Sequence, residues 1–265
     1  MYEIIPTFPF INFELFSLED FEDEVLAKEV LDSIKAFGRD YAPQKFDTEE
    51  PLKNKVNSKD FSDLVSVWLN KDNIDKGVLQ ENSFYGGSIL MKKNSGFKCS
   101  FQVIWGKGNV TSFNLLSMSM SLDYFKNEEN MGILWTNCKK LIRICKPVYA
   151  NISNLSIPEK REAVDLTIIA PELQWKAIFG RPYIDLFSKE RILATPCFNI
   201  EEIGEDFISI QLQEDVYKAI PKEIREKVKN HLGTAAFVEY GHDFRDYRDK
   251  PNLVPMFNFS NLEHP

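Results

Sequence analysis

Apolar residues recur at helical spacing early in the chain, at Leu18, Phe21, Val25, Val30, Ile34 and Phe37. This predicts an amphipathic helix with one buried stripe. Ser17-Leu18-Glu19-Asp20 reads as its start, with Ser17 as cap and acids in the first turn, and Gly38 reads as its stop. Proline and charge over 43–59 predict a loop, after which Phe61, Leu64, Val65 and Trp68 predict a shorter helix.

From Gly86 the period changes to two. Residues 88–93, 97–105 and 110–122 are expected as three strands joined at Asn94-Ser95-Gly96 and Gly106-Lys107-Gly108-Asn109, an antiparallel meander. In the third, Leu116, Met118, Met120 and Leu122 alternate with Ser117, Ser119 and Ser121, as a sheet with one wet face requires. Asn127 then opens a helix whose stripe is Met131, Leu134, Trp135, Cys138, Leu141, Ile142 and Cys145. Lys139, Lys140, Arg143 and Lys146 crowd its last turns, where they suit the helix dipole, and Pro147 ends it.

The second half predicts a strand over 166–169, a short helix over 184–193, and a hairpin of 198–203 with 207–212 about Gly204. A helix containing Ile224 and Val228 is expected between Pro221 and Gly233, and a strand over 235–240. Strands linked by short turns, with helices inserted between groups, argue for an α+β fold: antiparallel meander sheets with helices packed on one face. Each half reads as strand-strand-helix-strand, a pattern open to internal duplication. The expected organisation is an acidic helical segment over 1–80 docked on a core over 81–265. That core is open to division into lobes 81–155 and 156–265, within one compact unit.

Composition narrows the class. With 43% hydrophobic residues, 265 residues can bury about 70–75% of the unfolded surface without disulfide staples. Pro6 and Pro9 interrupt the first apolar run and no basic region precedes it, which argues against a secretory signal. Apolar runs elsewhere break within roughly ten residues, short of the ~20 a membrane span needs. Cys99, Cys138, Cys145 and Cys197 form no Cys-x-x-Cys pair, so they are expected as core thiols in a reducing, cytoplasmic compartment.

The net charge of −8 is uneven: the first fifty residues hold thirteen acids against four bases, a net of −9 that leaves +1 for the rest. Such a field repels nucleic acid and anionic membranes and attracts a basic protein partner. Glu19, Glu22, Asp23, Glu24, Asp47, Glu49 and Glu50 are the candidate partner-binding residues. The competing explanation is that they form the solvated face of a helix.

Candidate chemistry is sparse. Of His231, His242 and His264, only His242 stands beside acids, Asp243 and Asp246, where an oriented general base is conceivable. No Gly-x-Ser-x-Gly, Walker loop, Gly-x-Gly-x-x-Gly or His-Glu-x-x-His accompanies it, so no cofactor or metal is expected.

Leu173-Gln174-Trp175-Lys176-Ala177-Ile178-Phe179-Gly180-Arg181-Pro182-Tyr183-Ile184 continues through Asp185-Leu186-Phe187 to the hairpin ending at Leu212. Together with the meander and Cys145-Lys146-Pro147-Val148-Tyr149, it resembles bacterial immunity proteins of polymorphic-toxin systems, nearest to immunity protein family fifty-two. The resemblance covers 84–240 and implies a cytoplasmic, non-enzymatic antidote that binds and occludes a cognate toxin with a basic contact surface. A small hydrolase built on His242, or an interaction module of another assembly, are the alternatives.

Overall fold

The computed structural model describes residues 9–37, 42–57, 61–69, 85–93, 98–107, 112–157, 164–242 and 244–263. In chain order they form β1 (Phe10–Ser17), α1 (Glu24–Lys35), β2 (Lys45–Asp47), β3 (Asn54–Lys55), α2 (Ser62–Trp68), β4 (Tyr85–Lys93), β5 (Cys99–Lys107), β6 (Asn114–Ser121), α3 (Glu129–Cys145), β7 (Pro147–Asn154), β8 (Lys176–Phe179), α4 (Arg181–Phe187), α5 (Lys189–Leu193), β9 (Asn199–Glu202), β10 (Ile208–Gln211) and α6 (Lys222–Leu232). The fold is α+β. It divides into a first unit, Asn12–Pro147 with Asn258–Pro265, and a second, Met1–Ile11 with Val148–Phe257. The stretch before residue 81 contributes β1, β2 and β3 as well as two helices.

In the first unit the strand order is β3-β2-β4-β5-β6-β1. The pairs β2/β3, β2/β4, β4/β5 and β5/β6 are antiparallel, so the expected meander is present. Its first turn, Asn94-Ser95-Gly96, lies outside the described residues, as do Gly108 and Asn109 of the second. Register explains the core. Phe46 faces Met91, Met91 faces Phe101 and Phe101 faces Met118, a row across four strands in which each residue is buried. A parallel row runs Ile89, Val103, Leu116. Burying each such side chain contributes about 1.5–3 kcal/mol.

The helices of this unit bury part of the stripes their spacing predicts. On α1 Val30 and Ile34 are buried together with Ala27 and Leu31, which were not foreseen, while Val25 is 64% exposed. On α3 Leu134, Cys138, Leu141, Ile142 and Cys145 are buried, while Met131 and Trp135 are half-buried. The start of α1 differs from expectation. Asp23 is the cap, with Oδ1 accepting from the amides of Val25 at 2.7 Å and Leu26 at 2.9 Å. Ser17 instead ends β1, where its hydroxyl donates to the Cys145 carbonyl and accepts from the Glu19 amide at 3.0 Å. β1 itself was not foreseen, although Ile11, Phe13 and Leu15 alternate inward. Two indoles tie α2 down: Trp68 Nε1 donates to Phe21 O at 2.7 Å, and Trp105 Nε1 donates to Trp68 O at 2.9 Å.

In the second unit the order is β7-β8-β10-β9, with antiparallel pairs throughout. Every residue of β8 is buried, as a central strand covered on both faces requires. The motif carrying the sequence resemblance is this unit's core. Phe179 lies 5.6–6.0 Å from the ring centres of Tyr149, Tyr183 and Phe187, and Phe187 stacks on Phe237 at 5.8 Å. The helix expected over 184–193 is two, α4 and α5, separated at Ser188 with φ of 65°.

Two expected strands are corrected here. Residues 166–169 form a turn capped by Asp165, whose Oδ1 accepts from Thr167 N at 3.1 Å. Residues 235–240 form a 3-10 turn, Thr234–Ala236, and then a single parallel bridge, Ala170 to Phe237. The reason is that their carbonyls serve other partners: Ala235 O accepts from Leu253 N at 3.0 Å and Val238 O from Lys229 Nζ at 2.7 Å. Among the described residues no helix is long and apolar enough to cross a membrane.

Candidate functional site

The acids named from sequence are spread over the first unit, and most have work within it. Asp23 caps α1, as described. Asp47 organises the turn after β2, accepting from Thr48 N at 2.9 Å, Lys53 N at 3.2 Å and Asn54 Nδ2 at 3.3 Å. Glu22 meets the Lys107 ammonium at 3.3 Å, and Asp20 pairs with the same ammonium; the Glu22 and Lys107 side chains are 16% and 13% exposed. Glu19 meets Lys146 Nζ at 3.3 Å. Glu24 pairs with Lys28 and Glu50 with Lys92. Glu49 is exposed. Exposed pairs of this kind contribute only ~0–1 kcal/mol, so Glu24, Glu49 and Glu50 are the acids least committed to the fold.

His242 sits at the surface of the second unit, with its side chain 49% exposed. Nδ1 is 3.5 Å from Asp246 Oδ2 and Nε2 is 3.9 Å from Glu239 Oε2, beyond the length at which a hydrogen bond orients an imidazole. Asp243 lies outside the described residues. Of the cysteines, Cys99, Cys138 and Cys145 are buried and Cys197 half-buried. Burial pushes the Cys99 thiol up to about 12 and raises those of Cys145 and Cys197 as well.

A cleft of about 610 Å³ opens in the second unit between α6 and the segment 234–240. Two cations one helical turn apart on α6, Arg225 and Lys229, are buried at its base. The Lys229 ammonium meets Glu172 Oε1 and Oε2 at 2.7 Å each and donates to Val238 O at 2.7 Å, which occupies its three protons. Arg225 Nε donates to Leu173 O at 3.0 Å. Ile220 and Phe237, 8% and 0% exposed, lie behind its lining, while Lys222, Glu226, Glu239 and Tyr240 stand exposed at the mouth.

No family model matches the sequence, and no curated protein matches it. The resemblance to immunity protein family fifty-two therefore has no family match behind it. Among solved structures, the Pseudomonas aeruginosa T6SS protein PA0821 superposes with a TM-score of 0.58 at 12% identity. The match covers 95% of this chain and 79% of that one. The likeness is one of fold. At that coverage it takes in both units rather than one motif.

Sequence reasoning missed the cleft. Its signal was present in part: Arg225 and Lys229 fall on the same stripe of α6 as Val228 and Leu232, and cations on an apolar stripe imply buried counter-groups. The counter-group, Glu172, is 57 residues away, so no local spacing reveals it.

Proposed function

We propose that the chain is an immunity protein, a non-enzymatic antidote that acts in the cytoplasm by binding and covering a cognate bacterial toxin domain. The observation that carries this reading is the superposition on a T6SS protein over 95% of the chain. The residues of 173–187, in which the likeness to polymorphic-toxin immunity proteins was noted, are the packed centre of the second unit. A secretion-system setting is one in which such a toxin would be met.

Inhibition by cover needs a surface of roughly 800 Å² per partner with a desolvated centre and a polar rim. It needs no reacting group. The negative charge of the chain, −8 overall, suits a toxin whose substrate-binding surface is basic, through faster encounter more than through tighter binding. Glu24, Glu49 and Glu50 are the acids best placed to give that attraction without loss of structure.

The experiment is to search the genes neighbouring this chain's own for a toxin domain and to express that domain alone and together with the chain. Restored growth, with the purified pair eluting as one complex, is the expected result. Arrested growth with both proteins present and folded would refute the reading.

A further inference from the structure

We infer that the open edge of β9 takes up an extended basic segment of a protein partner as an added strand. β9 ends the second unit's strand order, and among the described residues no strand lies on its other side. Register shows which of its backbone groups face outward. Ile203 N donates to Phe207 O at 2.8 Å, and in an antiparallel ladder residues that exchange hydrogen bonds alternate with residues that do not. Glu201 and Asn199 therefore bond to Ser209 and Gln211 of β10, and the amides and carbonyls of Ile200 and Glu202 point to the open edge. Such a row of donors and acceptors is a template for another strand. Asn199 and Glu202 are exposed, and Ile200 and Glu201 half-buried.

Charge decides which strand. From Ile192 to Tyr217 the chain carries six carboxylates, Glu201, Glu202, Glu205, Asp206, Glu214 and Asp215, and no Lys, Arg or His. Lys189 pairs with Glu202, and Lys218 meets Asp215 at 3.2 Å. Over 189–218 seven carboxylates stand against three cations, a net of −4, while residues 51–265 together total +1. A second copy of β9 would set Glu201 and Glu202 against their own kind, and like charges across a strand pair repel. Nucleic acid and anionic lipid are repelled by the same field. A strand with Lys or Arg opposite Glu201 and Glu202 is attracted, since directly opposed side chains lie about 5 Å apart. Phe198, the residue before the strand, is 54% exposed and supplies an apolar anchor at that end.

This inference rests on the proposed function only for the identity of the partner, and two arms keep them apart. In the first, the peptide acetyl-Thr-Lys-Lys-Val-Thr-Val-amide is titrated into the whole protein and followed by amide chemical shifts. Paired antiparallel, its lysines face Glu202 and Glu201 and its first valine faces Ile200. Saturable shifts confined to β9 and its flanks, residues 197–206, are expected. The counterpart with Glu for both lysines should bind roughly ten-fold more weakly. N-methylation of the first lysine and first valine amides, which face β9, should abolish binding, whereas N-methylation of the second lysine amide should leave it. Absence of shifts at β9, or equal binding of all three basic peptides, overturns strand addition. Shifts at β9 that grow with protein concentration alone would mark a second copy as the occupant and overturn the basic partner.

In the second arm the toxin domain replaces the peptide. Ile200→Pro removes an outward amide and no bond to β10, and Glu201→Gln with Glu202→Gln removes the charge while keeping the shape. Each should weaken toxin binding at least ten-fold. Wild-type affinity in both overturns the edge as the contact while leaving the antidote reading standing. Peptide pairing in a protein that fails to protect against the toxin overturns the antidote reading alone.

Discussion

Replacing Lys229 by Met tests the account of the second unit most directly. The Lys229 and Glu172 side chains are 10% and 14% exposed, so the pair is largely withdrawn from water. At 2.7 Å and an effective dielectric of about 20, their mutual attraction is about 6 kcal/mol, most of which offsets the cost of desolvating both. Met fills much of the same volume but strands a buried carboxylate and leaves Val238 O without its donor. Removal of one partner of such a pair costs about 3–5 kcal/mol, and the residual exposure of Glu172 puts this case near 3 kcal/mol, or roughly 10 °C in Tm. The double variant Lys229→Met with Glu172→Gln removes the stranded charge and should recover about half of the loss. Equilibrium urea denaturation of the wild type, the two single variants and the double closes the cycle. A loss under about 1 kcal/mol for Lys229→Met, or simple additivity in the double variant, would refute the burial of a coupled pair.

Gly86→Ala should destabilise the first unit by about 2–3 kcal/mol in the same assay, because the added Cβ would lie 2.3 Å from the Trp105 carbonyl oxygen, a backbone atom that cannot step aside. Stability should fall above pH 9: the Cys99 thiol ionises near 9.0 when unfolded and only at about 12 when folded, so its contribution is complete below 9.0 and is lost as the pH rises toward 12. Denaturation midpoints at pH 8 and pH 10, with and without Cys99→Ser, check this, and a wild-type fall that the variant reproduces in full would discount Cys99. Glu24→Lys with Glu49→Lys, at exposed positions, should slow association with the toxin and flatten its salt dependence with little change in stability. Unchanged association kinetics at low salt would remove those acids from the encounter.

The parts of the fold that follow from local spacing were legible. The meander showed itself because Met and Leu alternate with Ser through β6, and each inward residue meets a partner in β5 that is buried as well. Helix α3 showed itself by its stripe. What escaped were features decided by distant partners. Ser17 has the residue type and position of a helix cap, but a carbonyl 128 residues away takes its hydroxyl. β1 hid because Phe10 and Phe16 place apolar residues on the face opposite Ile11, Phe13 and Leu15 and so blur the alternation, and Asn12 on that face is buried and accepts from Ser119 Oγ at 2.7 Å. The segment 235–240 has strand composition, yet Lys229 and Leu253 claim its carbonyls. Of the candidate site residues, the acids were found by counting charge, while the division between those that brace the first unit and those that face solvent needed coordinates.

Each unit is assembled from two separated stretches of polypeptide, and the seams fall at Ile11, Pro147 and Phe257. No single cut therefore releases either unit whole. On the ribosome the first unit waits for the stretch beginning at Asn258, where Phe259 meets Phe113 at 5.3 Å, so its last pieces arrive only after the second unit has been synthesised. A chain that ends before that point lacks the ring that Phe259 sets against Phe113 and the buried side chain of Leu262.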